Sequence, residues 1–247
     1  MNRKIVLIHK WFTPGVAEFP LGLAYLASYL ESYLGIKNVK IISKDYGLEE
    51  EVLNCDPELI GFYAYTAQIE DIVRIAKKLK RSLDVPFLIG GPHISSLPKE
   101  LPEVFTLGVI GEGEETFKEI VELYYQTGRL PPEKLAKIKG IVFHQGGRKI
   151  ITSPREMIKN IDQIPFPARH LFDRQLLLKP GDALFRYEKK TCLDIFTVRG
   201  CPYQCAFCQQ PTFGHTLRLH SAQYVVNEIE HVYQKYRPEN ILSLIHI

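Results

Sequence analysis

Three thiols stand close together in Arg199-Gly200-Cys201-Pro202-Tyr203-Gln204-Cys205-Ala206-Phe207-Cys208. Their spacing lets one short loop wrap a single inorganic cluster, because thiolates are the natural ligands of iron–sulfur centres. With only three thiols in the loop, a four-iron cluster would keep one iron without a protein ligand. An open coordination position is where a substrate can bind, as at catalytic zinc. Zinc itself is an alternative, with His215 or His220 as the fourth ligand, and so is a loop of plain structural thiols. Cys55 and Cys192 lie outside the loop and read as buried free cysteines.

Two glycine-rich stretches are the other candidates for chemistry, Gly90-Gly91-Pro92-His93 and Gly111-Glu112-Gly113-Glu114-Glu115-Thr116. Glycine permits positive φ and lets a ligand approach the backbone. Taken singly, either stretch is equally a tight strand-to-helix turn.

The elements that must position these loops are legible in the hydrophobic pattern. Short apolar runs at 5–8, 39–42, 59–63, 86–89 and 105–110 read as strands. Between them, Phe19-Pro20-Leu21-Gly22 opens a helix carrying Leu23, Leu26, Ala27, Leu30 and Leu34 on one face. A second helix is expected over 69–83 and a third over 114–125. Continuous apolar strands alternating with helices predict a parallel sheet covered on both faces, whose ligands bind outside the C-terminal strand ends. Both glycine stretches fall at such ends.

Residues 131–185 change character. A hairpin is expected over 139–151 around Gly146-Gly147, and Ile164-Pro165-Phe166-Pro167-Ala168 reads as an extended connector. A second unit begins near residue 186 with a strand over 193–198, the cysteine loop, a helix capped by Ser221 with Val225, Val226, Ile229 and Val232 on its apolar face, and a strand from Ile241.

Bulk properties exclude several classes. The chain of 247 residues has 45% hydrophobic and 24% charged residues, ordinary globular values. A net charge of +3 without a dense basic block gives no reason to expect nucleic acid. The cluster Lys77-Lys78-Leu79-Lys80-Arg81 reads as the solvated face or the last turn of a helix, where cations suit the dipole. There is no apolar run long enough for a membrane span and no signal-peptide pattern, so a cytoplasmic protein with reduced thiols is expected.

With Phe207 before its last cysteine, the loop resembles the signature of radical S-adenosylmethionine (SAM) enzymes. That resemblance implies a [4Fe-4S] cluster on Cys201, Cys205 and Cys208, with Phe207 near the cofactor, and SAM cleaved to a 5′-deoxyadenosyl radical. The wider pattern resembles the cobalamin-binding subclass: Phe19 to Ala27, the two glycine stretches, Pro165-Phe166-Pro167 and Leu171-Phe172-Asp173 all match. This likeness implies an N-terminal Rossmann-like parallel sheet of the cobalamin-binding type (1–130), a hairpin and linker (131–185), and the first part of a (β/α)6 partial TIM barrel (186–247). It places cobalamin near Tyr65, Thr66, Gly90, Gly91, Pro92, His93, Gly111, Glu112, Gly113 and Glu114. The string Asp-x-His-x-x-Gly is absent, so cobalamin without a protein histidine on cobalt is expected; His93 would then touch the corrin or its tail, unless it is a loop histidine satisfied by backbone.

The activity implied is methyl transfer to an unactivated carbon of a small molecule, with an electron donor such as flavodoxin or ferredoxin. A radical SAM enzyme without functional cobalamin and a non-catalytic zinc or cobalamin module are the alternatives. The chain carries little more than one strand–helix unit of the barrel. Its ending, Leu242-Ser243-Leu244-Ile245-His246-Ile247, lacks the acidic end expected of a second barrel strand and resembles translated sequencing-adapter read-through. By itself this fragment is expected to be inactive, with strand edges that invite aggregation.

Overall fold

Ile5, Val6, Leu7 and Ile8 are all essentially excluded from solvent, so the first strand is covered on both faces. Successive strand side chains point to opposite faces. Ile5 and Leu7 accordingly join one core and Val6 and Ile8 the other. This is the arrangement of the computed structural model, which describes residues 4–11, 19–178, 191–206, 208 and 212–245.

In chain order the first unit runs β1 (Ile5–Lys10), α1 (Leu21–Leu34), β2 (Val39–Lys44), α2 (Leu48–Leu53), β3 (Leu59–Tyr63), α3 (Ile69–Leu79), β4 (Phe87–Gly90), α4 (Pro92–Ser96), β5 (Leu107–Val109) and α5 (Glu114–Thr127). After α6 (Pro132–Leu135) the hairpin β6 (Ile141–Gln145) and β7 (Arg148–Ile151) follows. The sheet order is β2-β1-β3-β4-β5-β6-β7. The first five strands pair in parallel, and the hairpin extends the sheet antiparallel from β5.

Local chemistry explains the ends of these elements. Helix α1 stops at Gly35, whose φ of 66° turns the chain so that its N–H bonds Glu31 O. Helix α3 carries Glu70 and Asp71 in its first turn and Lys77 and Lys78 in its last, matching the dipole. It ends at Leu79, short of the expected residue 83. Strand β5 is trimmed to three residues from the expected six-residue run. Helices α2 and α4 were not anticipated, because six- and five-residue helices are too short for a period of 3.6 to register.

The connector 164–168 carries neither helix nor strand, and short turns flank it. Ile161–Gln163 and Arg169–Leu171 form 3-10 turns, and Ala168 N–H bonds Ala24 O at 3.0 Å, pinning the segment to α1. A short helix α7 (Arg174–Leu177) follows, then β8 (Cys192–Arg199), β9 (Arg218–Leu219), α8 (Ala222–Tyr236) and β10 (Asn240–Ile245). Strand β8 pairs in parallel with β10 and antiparallel with β9. Leu193 and Ile195 pack on Val232 and Tyr236 of α8, while Phe196 stacks on Tyr25 of α1, ring centroids 5.8 Å apart.

Helix α8 is rotated from the face expected for it. Its buried residues are Tyr224, Glu228, Val232 and Tyr236, and Val226 and Ile229 are exposed. A buried glutamate is tolerated there because Arg169 meets it at 2.8 Å. The cap is as expected: Ser221 Oγ accepts the Tyr224 N–H at 3.1 Å. Replacing Ser221 by alanine is expected to cost about 1 kcal/mol in urea unfolding. An unchanged midpoint would show that the bond contributes nothing. Among the described residues no helix is long and apolar enough to cross a membrane.

Candidate functional site

The sheet order 2-1-3-4-5 creates a switch point between β1 and β3, where successive connections leave in opposite directions and a crevice opens. A cavity of about 730 Å³ occupies that edge. Its floor is apolar, with Leu7, Leu26, Leu88, Val109 and Phe117. Of the residues singled out from sequence, Tyr65, Gly90, Gly91, Pro92, Gly111, Gly113 and Glu114 line it, whereas Thr66, His93 and Glu112 do not.

The glycines are there for room and for backbone geometry. Gly91 has φ 97°, and a Cβ on it would meet Ala64 O and the Tyr63 ring at 3.0 Å. On Gly113 it would meet Leu26 at 3.0 Å. Ser95 of α4, which sequence reasoning passed over, ties the two glycine loops together. Its hydroxyl donates to Gly91 O at 2.9 Å and accepts the Gly111 N–H at 3.0 Å. A serine on a five-residue helix carries no sequence signal. At the end of β1, Gln68 donates to Lys10 O at 2.8 Å, holding the loop after β3.

Two histidines flank this edge. His9 lines the cavity, its Nδ1 3.1 Å from Ser43 Oγ, and burial pushes its pKa down to about 4. His93 Nδ1 lies 3.2 Å from Thr66 Oγ1; burial also lowers its pKa, against the opposing pull of Glu100. Both rings are therefore neutral near pH 7.

The far wall of the cavity comes from the second unit: Asp194, Phe196, Arg199 and Phe213. Burial raises the Asp194 pKa, and nearby Arg169 only partly offsets it. Arg199 ends β8 and is 1% exposed. It reaches across to the second glycine stretch, with Nη1 3.1 Å from Glu112 and Nη2 2.7 Å from Glu114. Its guanidinium sits 5.1 Å from both the Tyr25 and Phe213 ring centroids. Burial alone would lower the Arg199 pKa; the Glu114 and Glu112 carboxylates more than reverse this, so the guanidinium stays charged.

The cysteine loop starts directly after Arg199. Gly200 turns it with φ 88°, and Cys201 N–H bonds Gly214 O at 3.1 Å. Cys208 N–H bonds Cys205 O at 2.9 Å. Cys201 is buried, Cys205 exposed and Cys208 intermediate. Phe207 lies outside the described residues. Thiolates are the usual ligands of iron–sulfur clusters, but among the described residues no three His, Cys, Asp or Glu side chains converge to hold a metal. His220 shares a second, apolar cavity with Cys201, but its Nδ1 faces Asp162 at 2.9 Å and its ring stacks on Tyr224.

A B12 binding domain model matches residues 12–121, the stretch that builds the glycine edge. An uncharacterized methyltransferase of Pyrococcus horikoshii is 31% identical over 231 residues, covering 90% of this chain and 47% of the relative. The chain belongs to the B12-binding-domain radical SAM enzyme family. Another family relative, the anaerobic magnesium-protoporphyrin IX monomethyl ester cyclase of Rubrivivax gelatinosus, is 28% identical over 92% of this chain and 42% of its own length. The chain thus spans less than half the length of these curated relatives. The family fold recurs in solved structures. The cobalamin-dependent SAM radical enzyme OxsB with aqua-cobalamin bound aligns with a TM-score of 0.75 at 17% identity, over 98% of this chain and 34% of that one. The methyltransferase TsrM of Kitasatospora setae, with cobalamin and a [4Fe-4S] cluster bound, aligns at 0.65 and 22% identity, over 95% and 46%.

Proposed function

We propose that this chain is the cofactor-gathering part of a cobalamin-dependent radical SAM methyltransferase. The observation that carries the reading is a single cavity with the glycine edge of the B12-binding sheet on one side and the strand leading into Cys201 on the other. Cobalamin fits the residues present: an apolar floor, and glycines whose missing side chains leave backbone open to a large flat ligand. Gly90, Gly91, Pro92, Gly111 and Gly113 would hold it, with Tyr65 and Glu114 at the rim. Cys201, Cys205 and Cys208 would supply thiolates to a [4Fe-4S] cluster, a role supported by their spacing and by family relatives. When bound, these groups supply radical formation from SAM and a methyl group for an unactivated carbon. The chain's own part is to exclude water, to keep His9 uncharged beside the cavity, and to hold Arg199 charged between the two sides. The substrate is a small molecule, and a one-electron donor such as flavodoxin or ferredoxin is the partner the chemistry requires.

Anaerobic reconstitution with iron and sulfide, followed by titration with hydroxocobalamin, tests the reading. Uptake of both supports it. Zinc uptake without a cluster would sink the radical SAM assignment, and a cluster without cobalamin would sink the first-unit assignment alone. Gly90 offers a clean probe. A Cβ there would have only Val109 near it, at 3.9 Å, and its φ is not positive. Gly90→Val is therefore expected to fold normally yet bind cobalamin about a hundredfold more weakly, by filling ligand space. Unaltered affinity in a folded variant would move the cofactor elsewhere.

A further inference from the structure

One carboxylate, that of Glu112, meets both ends of the cysteine loop. On the entry side its Oε1 takes the Arg199 guanidinium at 3.1 Å, two residues before Cys201. On the exit side its Oε2 takes Arg218 at 2.7 Å, at the start of β9. Arg218 spreads further, donating to Ile158 O at 2.9 Å and Phe213 O at 3.3 Å, while Ile158 N–H also donates to Glu112 at 3.1 Å. All three side chains are less than a tenth exposed. Glu112 itself stands between Gly111 and Gly113, which line the cavity, and does not line it.

Such an arrangement is costly unless it does something. Two arginines and a glutamate out of water stabilise little by themselves, but removing Glu112 takes from Arg218 its carboxylate partner and leaves Arg199 to Glu114. Plain packing would close the same gap. What the ionic form adds is direction: fixed hydrogen bonds set where the loop leaves and re-enters relative to the glycine edge.

We propose that Glu112 is a positioning residue for the cysteine loop, clamping its two ends to the cobalamin side so that Cys201 is held inside. The proposal rests on the reading of the loop as the cluster site, and it makes the cofactor edge and the cysteines one mechanical unit. It also accounts for a glutamate flanked by glycines on an edge that otherwise serves the ligand.

The test is site-resolved alkylation of the full chain by maleimide, without metal or cobalamin, read by mass spectrometry. Cys55, buried beneath the first sheet, reports global opening; Cys201 reports the loop. In the parent, exposed Cys205 labels first, and Cys201 and Cys55 are both protected. In Glu112→Gln and separately in Arg218→Met, Cys201 is expected to label at least about tenfold faster relative to Cys55. If Cys201 and Cys55 accelerate together, the ion cluster supports the fold at large and the clamp is wrong. Unchanged Cys201 protection, or fast Cys201 labelling in the parent, overturns it equally. Iron bound per chain after reconstitution is expected to fall in both variants. A parent that takes up no iron would count against the cluster reading, and the labelling ratio would still decide the clamp.

Discussion

Gly200→Ala is expected to abolish the cysteine loop as a defined structure. A Cβ at this position would lie 2.1 Å from the Thr216 carbonyl oxygen and 2.9 Å from its carbon, with Gly214 O 3.3 Å away. These are backbone atoms, so no side-chain rotation relieves the clash. The φ of 88° adds strain of its own for any residue with a side chain. Both returning segments, 214 and 216, would have to move, and the Cys201 N–H bond to Gly214 O would go with them. The expected cost is about 4 kcal/mol or more within this unit, at the extreme of single substitutions. The sheet of the first unit does not depend on that turn. The variant should therefore lose iron–sulfide uptake and Cys201 protection while keeping cobalamin binding. Normal cluster loading in Gly200→Ala would show that the loop is not built around this turn.

Acid is expected to unfold the chain through His9. Burial holds its pKa near 4 in the folded protein, against 6.5 for an ordinary histidine. Below 6.5 the unfolded chain takes up a proton that the folded chain refuses. The stability associated with neutral His9 is thus complete above 6.5 and is lost progressively as pH falls toward 4. That interval corresponds to about 3 kcal/mol. His93, His220 and His231, also lowered chiefly by burial, add in the same direction. Urea unfolding of the parent and of His9→Gln at pH 7.5 and 4.5 isolates the His9 share. The parent should lose about 2.5 kcal/mol more over that span than the variant; equal losses would mean that His9 already titrates normally.

Much was already readable in the chain before any fold was known. Continuous apolar runs such as Ile5 to Ile8 encode a strand buried on both faces, and that forces a covered parallel sheet. Punctuation was equally direct: Ser221 begins α8, and the paired glycines mark the strand ends where the cavity opens. These are local properties, fixed by covalent geometry and by neighbours in sequence. The cysteine spacing is local too, which is why the radical SAM resemblance was legible from one loop, whereas the cobalamin-binding subclass needed the wider pattern.

Only the tertiary structure decided what the charged residues do. Glu112 and Glu114 sit in a loop that sequence assigns to cofactor contact, yet their carboxylates answer arginines 87 and 106 positions from Glu112. Glu228 interrupts the apolar stripe of α8, and its burial follows from Arg169 on a distant turn. The hairpin reads as a separate element, but β5 has a free edge for it to complete. Periodicity reports that a face is apolar, not which partner covers it. Ionic pairing is set by distance in space across residues that the chain keeps far apart. The sequence therefore determined the elements and the three clustered thiols, and the fold determined that buried Glu112 and Glu114 meet the arginines that flank the cysteine loop.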